Sequence, residues 1–236
     1  MKIAILIPFY NEKDNLIFLI NEWESYLKKK FFLQKKLFFV FVDDGSTDQS
    51  SKIIKKNIKK LNYIIVKKKN SGHGNSCKFG IKLITKKYKK YKYIFQIDGD
   101  NQCDPKYFFQ IYELITNYNY KFIFGYRNNR EDGYLRLLIS KIMSITFFLK
   151  KFIYVKDLNT PYRAMNVSEL NNILRILSKN SNYEKIELFN CLLSYGIKKY
   201  SNINWINIKF RKRIHGSSNY NLLKMLKLFL NFIYKV

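Results

Sequence analysis

Proline is nearly absent from this sequence: Pro8, Pro105 and Pro161 are the three in 236 residues. No Pro-rich linker, internal repeat or low-complexity tract divides the chain, whose length suits one large domain or two small ones. Cysteine is scarce too. Cys77, Cys103 and Cys191 are odd in number and far apart, which excludes a disulfide framework and offers no metal-ligand spacing. A reducing cytoplasm fits that usage. Long apolar runs are missing: none reaches the ~18 residues needed to span a bilayer. The opening run Ile3–Ile7 ends at Pro8, unlike a secretory leader. Acidic residues are few, 17 Asp+Glu against 44 Lys+Arg, for a formal charge of +27. Such an excess points to phosphates or an anionic membrane surface as partner. Alanine occurs only at Ala4 and Ala164, while Lys, Asn, Ile, Tyr and Phe abound. That is the vocabulary of A/T-rich codons, so about half of the excess charge is assigned to codon bias and solvated surface.

What is present is a core-forming pattern, 47 % hydrophobic. Continuous apolar runs at Ile3–Ile7, Leu37–Val42, Tyr63–Val66, Tyr93–Ile97 and Phe122–Gly125 read as buried strands. Helical spacings lie between them. One carries Leu16, Leu19, Ile20, Trp23 and Leu27; the next carries Ile53, Ile54 and Ile58 and starts at a Ser46 or Thr47 cap. A third ends near Tyr88, and a fourth runs from Pro105 to about Asn117 with Asp104 as N-cap. This alternation predicts an α/β fold with a mostly parallel sheet flanked by helices. The second half is less regular. It predicts helices over Leu135–Leu149, Ser168–Leu177 and Tyr183–Leu193, a loop over Asp157–Arg163 and a strand over Trp205–Phe210. A basic loop, Arg211–Tyr220, follows. The chain thus divides into a main domain, residues 1–220, and an amphipathic C-terminal helix, residues 221–236, suited to a membrane interface or to packing on its own domain or a second subunit.

In such sheets ligands bind beyond the carboxyl ends of the strands. The polar clusters fall there: Tyr10-Asn11-Glu12, Asp43-Asp44, Gly72-His73-Gly74, Asp98-x-Asp100 and Tyr126-Arg127. The central one is Asp98-Gly99-Asp100-Asn101-Gln102-x-Asp104-Pro105. Two carboxylates one residue apart at a strand end repel each other unless a cation sits between them. A hard divalent cation takes oxygens from one or two carboxylates and completes its shell with substrate phosphates.

Together with Ile7-Pro8-Phe9-Tyr10-Asn11-Glu12 and Val42-Asp43-Asp44-Gly45-Ser46-Thr47-Asp48, that motif resembles glycosyltransferase family 2, whose members have the GT-A fold. The likeness covers nearly the whole chain. Gly125-Tyr126-Arg127, the pair Arg136 and Ser140, and Arg213-x-x-Gly216-x-Ser218 are similar to the polyprenyl-phosphate sugar transferase branch, typified by dolichyl-phosphate mannose synthase. Asn219 stands where that branch has a lysine, and the segment between Arg127 and Arg136 is short for it. The resemblance implies a nucleotide-sugar donor and a Mg²⁺ or Mn²⁺ held by Asp100. Asp98 would reach the ribose or the metal, and Gln102 would add an oxygen. It implies that Asp100, Arg127 and Arg213 act on the reacting phosphates. Pro8, Tyr10 and Glu12 would line the nucleoside pocket, Asp43 and Asp44 would accept from base and ribose, and Gly72 and Gly74 would let backbone approach the nucleotide. His73 reads as a loop residue or one supporting the ligands.

The acceptor decides whether a base is needed. A sugar hydroxyl must lose a proton as it attacks, whereas a phosphate monoester, with a second pKa of ~6, is largely ionised already. The resemblance assigns Arg127, Arg136 and Ser140 to a polyprenyl phosphate, bound at the cytoplasmic face of a membrane by a peripheral enzyme. The alternative is a hydroxyl of a surface polysaccharide or lipopolysaccharide, with Glu187 as base. A basic nucleic-acid-binding module is the remote alternative. No motif of that kind occurs, so nucleic acid is not an expected partner.

Overall fold

The apolar runs form strands because helices cover both faces of the sheet they build. In the computed structural model, which describes residues 1–216 and 222–236, β1 (Ile3–Phe9), β2 (Leu37–Asp43), β3 (Tyr63–Lys67) and β4 (Tyr93–Gln96) are parallel. β5 (Phe122–Arg130), β6 (Arg163–Asn166) and β7 (Asn204–Phe210) extend the sheet, whose order is β3-β2-β1-β4-β6-β5-β7. The chain winds outward from β1 through β2 to β3, then returns to place β4 on the other side of β1. That reversal opens a crevice at the carboxyl ends of β1 and β4, where Phe9 and Asp98 lie.

The helices are α1 (Lys13–Lys29), α2 (Phe31–Gln34), α3 (Ser50–Asn57), α4 (His73–Lys87), α5 (Phe108–Tyr118), α6 (Tyr134–Lys151), α7 (Val167–Leu177), α8 (Phe189–Tyr200) and α9 (Leu222–Lys235). Strand alternation sorts the core in two. Ala4, Leu6 and Val40 meet Cys77 and Ile81 of α4, Phe147 of α6 and Phe189 of α8. Ile3, Ile5 and Ile7 face Leu16, Ile20 and Trp23 of α1 and Ile111 of α5. Trp23 packs edge-on against Phe39 and Phe108 at 5.3 and 5.5 Å between ring centroids, the offset that aromatic quadrupoles favour. Phe229 and Phe232 of α9 are buried in the first core, with Phe232 stacked on Phe147 at 5.7 Å.

Four expectations change. The segment read as a loop to Arg163 gives way to β6, an antiparallel strand between β4 and β5. Its four residues, Arg-Ala-Met-Asn, carry no apolar run to announce it. The helix expected from Tyr183 is only a 3₁₀ turn at Tyr183–Lys185, and α8 starts at Phe189. Between them the backbone runs hard against α4: a Cβ on Gly74 would stand 2.0 Å from the Glu187 carbonyl oxygen. Gly74 therefore admits this chain segment, not a nucleotide. Neither Ser46 nor Thr47 caps α3; Gln49 precedes it in the left-handed region, φ 68°, and Ser46 Oγ instead accepts the Asn11 N–H at 3.0 Å. Asp104 does cap its helix, accepting from the Lys106 N–H at 2.8 Å.

Candidate active site

The crevice is a cavity of about 760 Å³. Pro8, Tyr10, Glu12, Asp44, Gly72, Asp98, Asp100 and Gln102 line one end, and Arg127, Arg136, Ser140 and Arg213 also face it. Among the described residues, the folding of the sheet rim thus brings together all the expected site residues except Asp43, Gly74 and Glu187.

The acidic turn is fixed by close packing. Gly99 lies so near the end of β1 that a Cβ there would be 2.8 Å from Phe9 Cβ. Among the described residues, Asp98 Oδ1 is buried without a hydrogen-bond partner; His73 Nε2 stands 3.4 Å away. Burial disfavours a charged His73, but Cys77 and Asp98 outweigh it and hold its pKa up at about 10. Burial, then the charges of Asp98 and Glu12, push the Asp100 carboxyl up to about 7. A buried carboxylate oxygen that accepts no hydrogen bond and has the His73 ring near it, beside a crowded second carboxyl, fits a divalent cation. Among the described residues no three His, Cys, Asp or Glu gather as a complete ligand set. Such a cation would take oxygens from Asp98 and Asp100 and the rest from substrate and water, the habit of Mg²⁺. The Gln102 amide donates to the Arg211 carbonyl at 2.7 Å, which fixes its plane.

At the carboxyl end of β2, Asp44 accepts the N–H groups of Ser71 and Gly72 at 3.0 and 2.9 Å and is paired with Lys68. It thereby draws the Asn70–Gly72 loop onto the strand end. Asp43 departs from its expected role. It lies away from the cavity, accepting the Ser46 N–H at 2.7 Å and the Ser51 hydroxyl, so its oxygens fold their own loop. Glu12 accepts from Asn15 Nδ2 at 2.7 Å and Arg213 Nη2 at 2.5 Å. Burial raises its pKa, against those two partners. Arg213 Nε also donates to the His215 carbonyl at 2.7 Å, and Asn15 clasps the His215 backbone. The described part of the basic loop, residues 211–216, is therefore docked on the start of α1. Ser218 and Asn219 lie outside the described residues.

At the far end, Arg127 is more committed than expected. Its Nε and Nη2 grip Asp157 at 2.7 and 2.8 Å, and Nη2 also reaches the Asn159 carbonyl at 3.2 Å. Burial opposes the Arg127 charge, but Asp157 outweighs it and raises the pKa. Arg136 and Ser140 lie one turn apart on α6 and share the cavity wall, without a side-chain hydrogen bond among the described residues. Sequence reasoning missed Arg130, Asp132 and Lys212, which line the same cavity. The Arg-x-x-Arg-x-Asp spacing from Arg127 was the available signal. Glu187 is exposed, in a shallow groove beside Leu228 and Phe232 of α9, and cannot act as base in the cavity. The side chain that α8 does offer there is Asn190, held by Gln96 Nε2 at 3.0 Å. An amide cannot accept a proton at neutral pH.

The family model for glycosyl transferase family 2 matches residues 4–185. The undecaprenyl-phosphate 4-deoxy-4-formamido-L-arabinose transferase of Edwardsiella ictaluri is 24 % identical over 229 residues, covering 96 % of this chain and 65 % of that protein. The chain therefore spans just under two thirds of that relative's length. The crystal structure of S. aureus TarS in complex with UDP-GlcNAc shares the fold, with a TM-score of 0.66, 18 % identity and coverage of 99 % of this chain and 65 % of that one. So does glucosyl-3-phosphoglycerate synthase from Mycobacterium tuberculosis in complex with Mn²⁺, UDP-glucose and phosphoglyceric acid, with a TM-score of 0.61, 13 % identity and coverage of 99 % and 78 %. The family match takes in most of the sheet and the whole acidic turn: the chain belongs to glycosyl transferase family 2.

Proposed function

We propose that this chain is a metal-dependent inverting glycosyltransferase that moves a sugar from a nucleotide-sugar donor to a polyprenyl phosphate at the cytoplasmic face of a membrane. The observation that carries this reading is the pairing of the cavity's carboxylates. Glu12 is paired with Arg213, Asp44 with Lys68 and Asp132 with Arg130, while Asp98 and Asp100 belong to the cation end. None is left to deprotonate an acceptor. An ionised phosphate needs no such group. The undecaprenyl-phosphate relative supports the same acceptor class.

Pro8 and Tyr10 would pack against the nucleoside, and the backbone gathered by Asp44 would meet its ribose. Asp98, Asp100 and Gln102 would hold a Mg²⁺ or Mn²⁺, which when bound neutralises charge building on the leaving diphosphate. Arg213, while its Nη2 still holds Glu12, would reach the same phosphates through Nη1. Arg136 and Ser140 would hold the acceptor phosphate, backed by Arg127. Losing a charge-assisted hydrogen bond costs ~1.5–3 kcal/mol, so Arg136→Ala should lower efficiency with the acceptor by roughly tenfold to a hundredfold, donor affinity staying near normal. Glu187→Gln should keep most activity. Steady-state kinetics with nucleotide sugars, Mn²⁺ and a short polyprenyl phosphate measures both. Turnover only with a hydroxyl acceptor would refute the reading.

The membrane contact would be the outer side of α6 and α9. Leu135, Leu138, Ile142, Ile145 and Leu149 of α6 and Leu226, Leu230 and Tyr234 of α9 are exposed, with Lys141, Lys150 and Lys227 exposed among them. No described helix is long and apolar enough to cross a membrane. Apolar residues rimmed by lysines suit the interface of an anionic leaflet. Leu138→Asp with Ile142→Asp should abolish co-flotation with phosphatidylserine vesicles. Unchanged flotation would remove α6 from the contact.

A further inference from the structure

Arg127 and Arg130 share one wall of the cavity. Their guanidinium carbons lie 4.9 and 5.4 Å from the ring centroid of Phe210. The strand brings both there because its register against β7 shifts between Tyr126 and Asn129. The extra residue resets the alternation, so side chains three apart point the same way. Their counter-ions differ in kind. Asp157 is buried, 30 residues away in sequence. Asp132 sits two residues from Arg130 on the turn into α6 and itself lines the cavity. Arg130 Nε donates to Asp132 Oδ1 at 2.8 Å and Nη2 to Oδ2 at 2.6 Å, both side chains being 6 % exposed.

We propose that Arg130 is an acceptor-phosphate ligand and that Asp132 is its displaceable counter-ion. This rests on the phosphate-acceptor reading above. The Arg130 fork now holds a carboxylate bidentately, and a phosphate monoester presents the same pair of oxygens. Binding would exchange two N–H···carboxylate bonds for two N–H···phosphate bonds. The phosphate carries up to two charges against one on Asp132, and Arg136 and Lys212, which line the same cavity, favour the more highly charged anion. A neutral alcohol cannot make this exchange. Asp132 would thus set a threshold that selects phosphate over hydroxyl. Arg127 is unsuited to the task, because its partner Asp157 is buried and does not line the cavity into which it would have to move.

The test is acceptor kinetics of the full chain at saturating donor, with a short polyprenyl phosphate, beside calorimetric titration of inorganic phosphate. Asp132→Asn leaves Arg130 without a charged competitor and should lower the acceptor KM by about threefold to tenfold. Arg130→Gln should raise it by about tenfold or more, the scale of a lost charge-assisted bond. Donor KM should stay within about twofold in both, because Arg130 is not at the nucleotide end. Inorganic phosphate should bind most tightly to Asp132→Asn and most weakly to Arg130→Gln. Each variant breaks the same ion pair, so a merely structural pair would shift KM in one direction for both. That result, or equal phosphate affinity in all three proteins, would overturn the proposal. If the wild type transfers no sugar to polyprenyl phosphate and yet phosphate affinities keep this order, the Arg130 site stands and the acceptor reading fails. Transfer without that order overturns the Arg130 site alone.

Discussion

Asp100→Asn should abolish turnover, by at least about a thousandfold, the scale of losing a cation that stabilises a leaving diphosphate. Mn²⁺-dependent binding of a nucleoside diphosphate should vanish with it. The fold should not suffer. Burial and the charges of Asp98 and Glu12 hold the Asp100 carboxyl up at about 7. An acid whose folded pKa lies above its unfolded value costs stability as pH rises from the unfolded pKa to the folded one, and that cost is fully present above the folded pKa. The isosteric amide removes it, so near pH 8 without metal the variant should melt at or above the wild type. Turnover, calorimetric titration of nucleotide with and without Mn²⁺, and thermal melts at pH 5 and 8 check the three statements. Activity near wild type, or undiminished wild-type activity in excess EDTA, would remove Asp100 from the cation site.

The parallel half of the sheet and the acidic end of the cavity were legible because each is a local pattern. Ile3–Ile7 and Leu37–Val42 are buried strands in any register, and two carboxylates at a strand end carry their chemistry in three residues. What escaped depends on contacts distant in sequence. β6 exists because β4 and β5 leave an edge for Arg163–Asn166 to fill. α8 is delayed to Phe189 because the preceding backbone must pass Gly74 of α4. That delay leaves Glu187 outside the cavity and Asn190 inside it. Asp43 and Asp44 are adjacent and chemically alike; only the turn geometry shows that Asp43 serves its own loop. The register shift in β5 that places Arg130 beside Arg127 likewise has no mark in composition or period.

The same distinction bears on Arg127, whose partner Asp157 comes from a segment read only as a loop. Asp157→Ala should be the most destabilising change of those considered, by about 3–5 kcal/mol, because it strands a buried guanidinium without its counter-charge. Arg127 and Asp157 side chains are only 9 % and 3 % exposed, so water cannot take the missing partner's place. Replacing both, as Arg127→Met with Asp157→Leu, removes the stranded charge along with the pair, and its stability should return to within about 1–2 kcal/mol of wild type. Denaturant unfolding of the two singles and the double gives the coupling energy directly. The acceptor KM of the double variant answers a separate question. A closed Arg–Asp pair is neutral overall and attracts a phosphate weakly at a distance. If Arg127 mainly braces the wall on which Arg130 and Arg136 stand, KM should change by less than about threefold, under 1 kcal/mol. A rise of tenfold or more in a stably folded double variant would return Arg127 to direct phosphate contact. An Asp157→Ala protein as stable as wild type would mean that the guanidinium has found another partner and that the pair does not brace the wall.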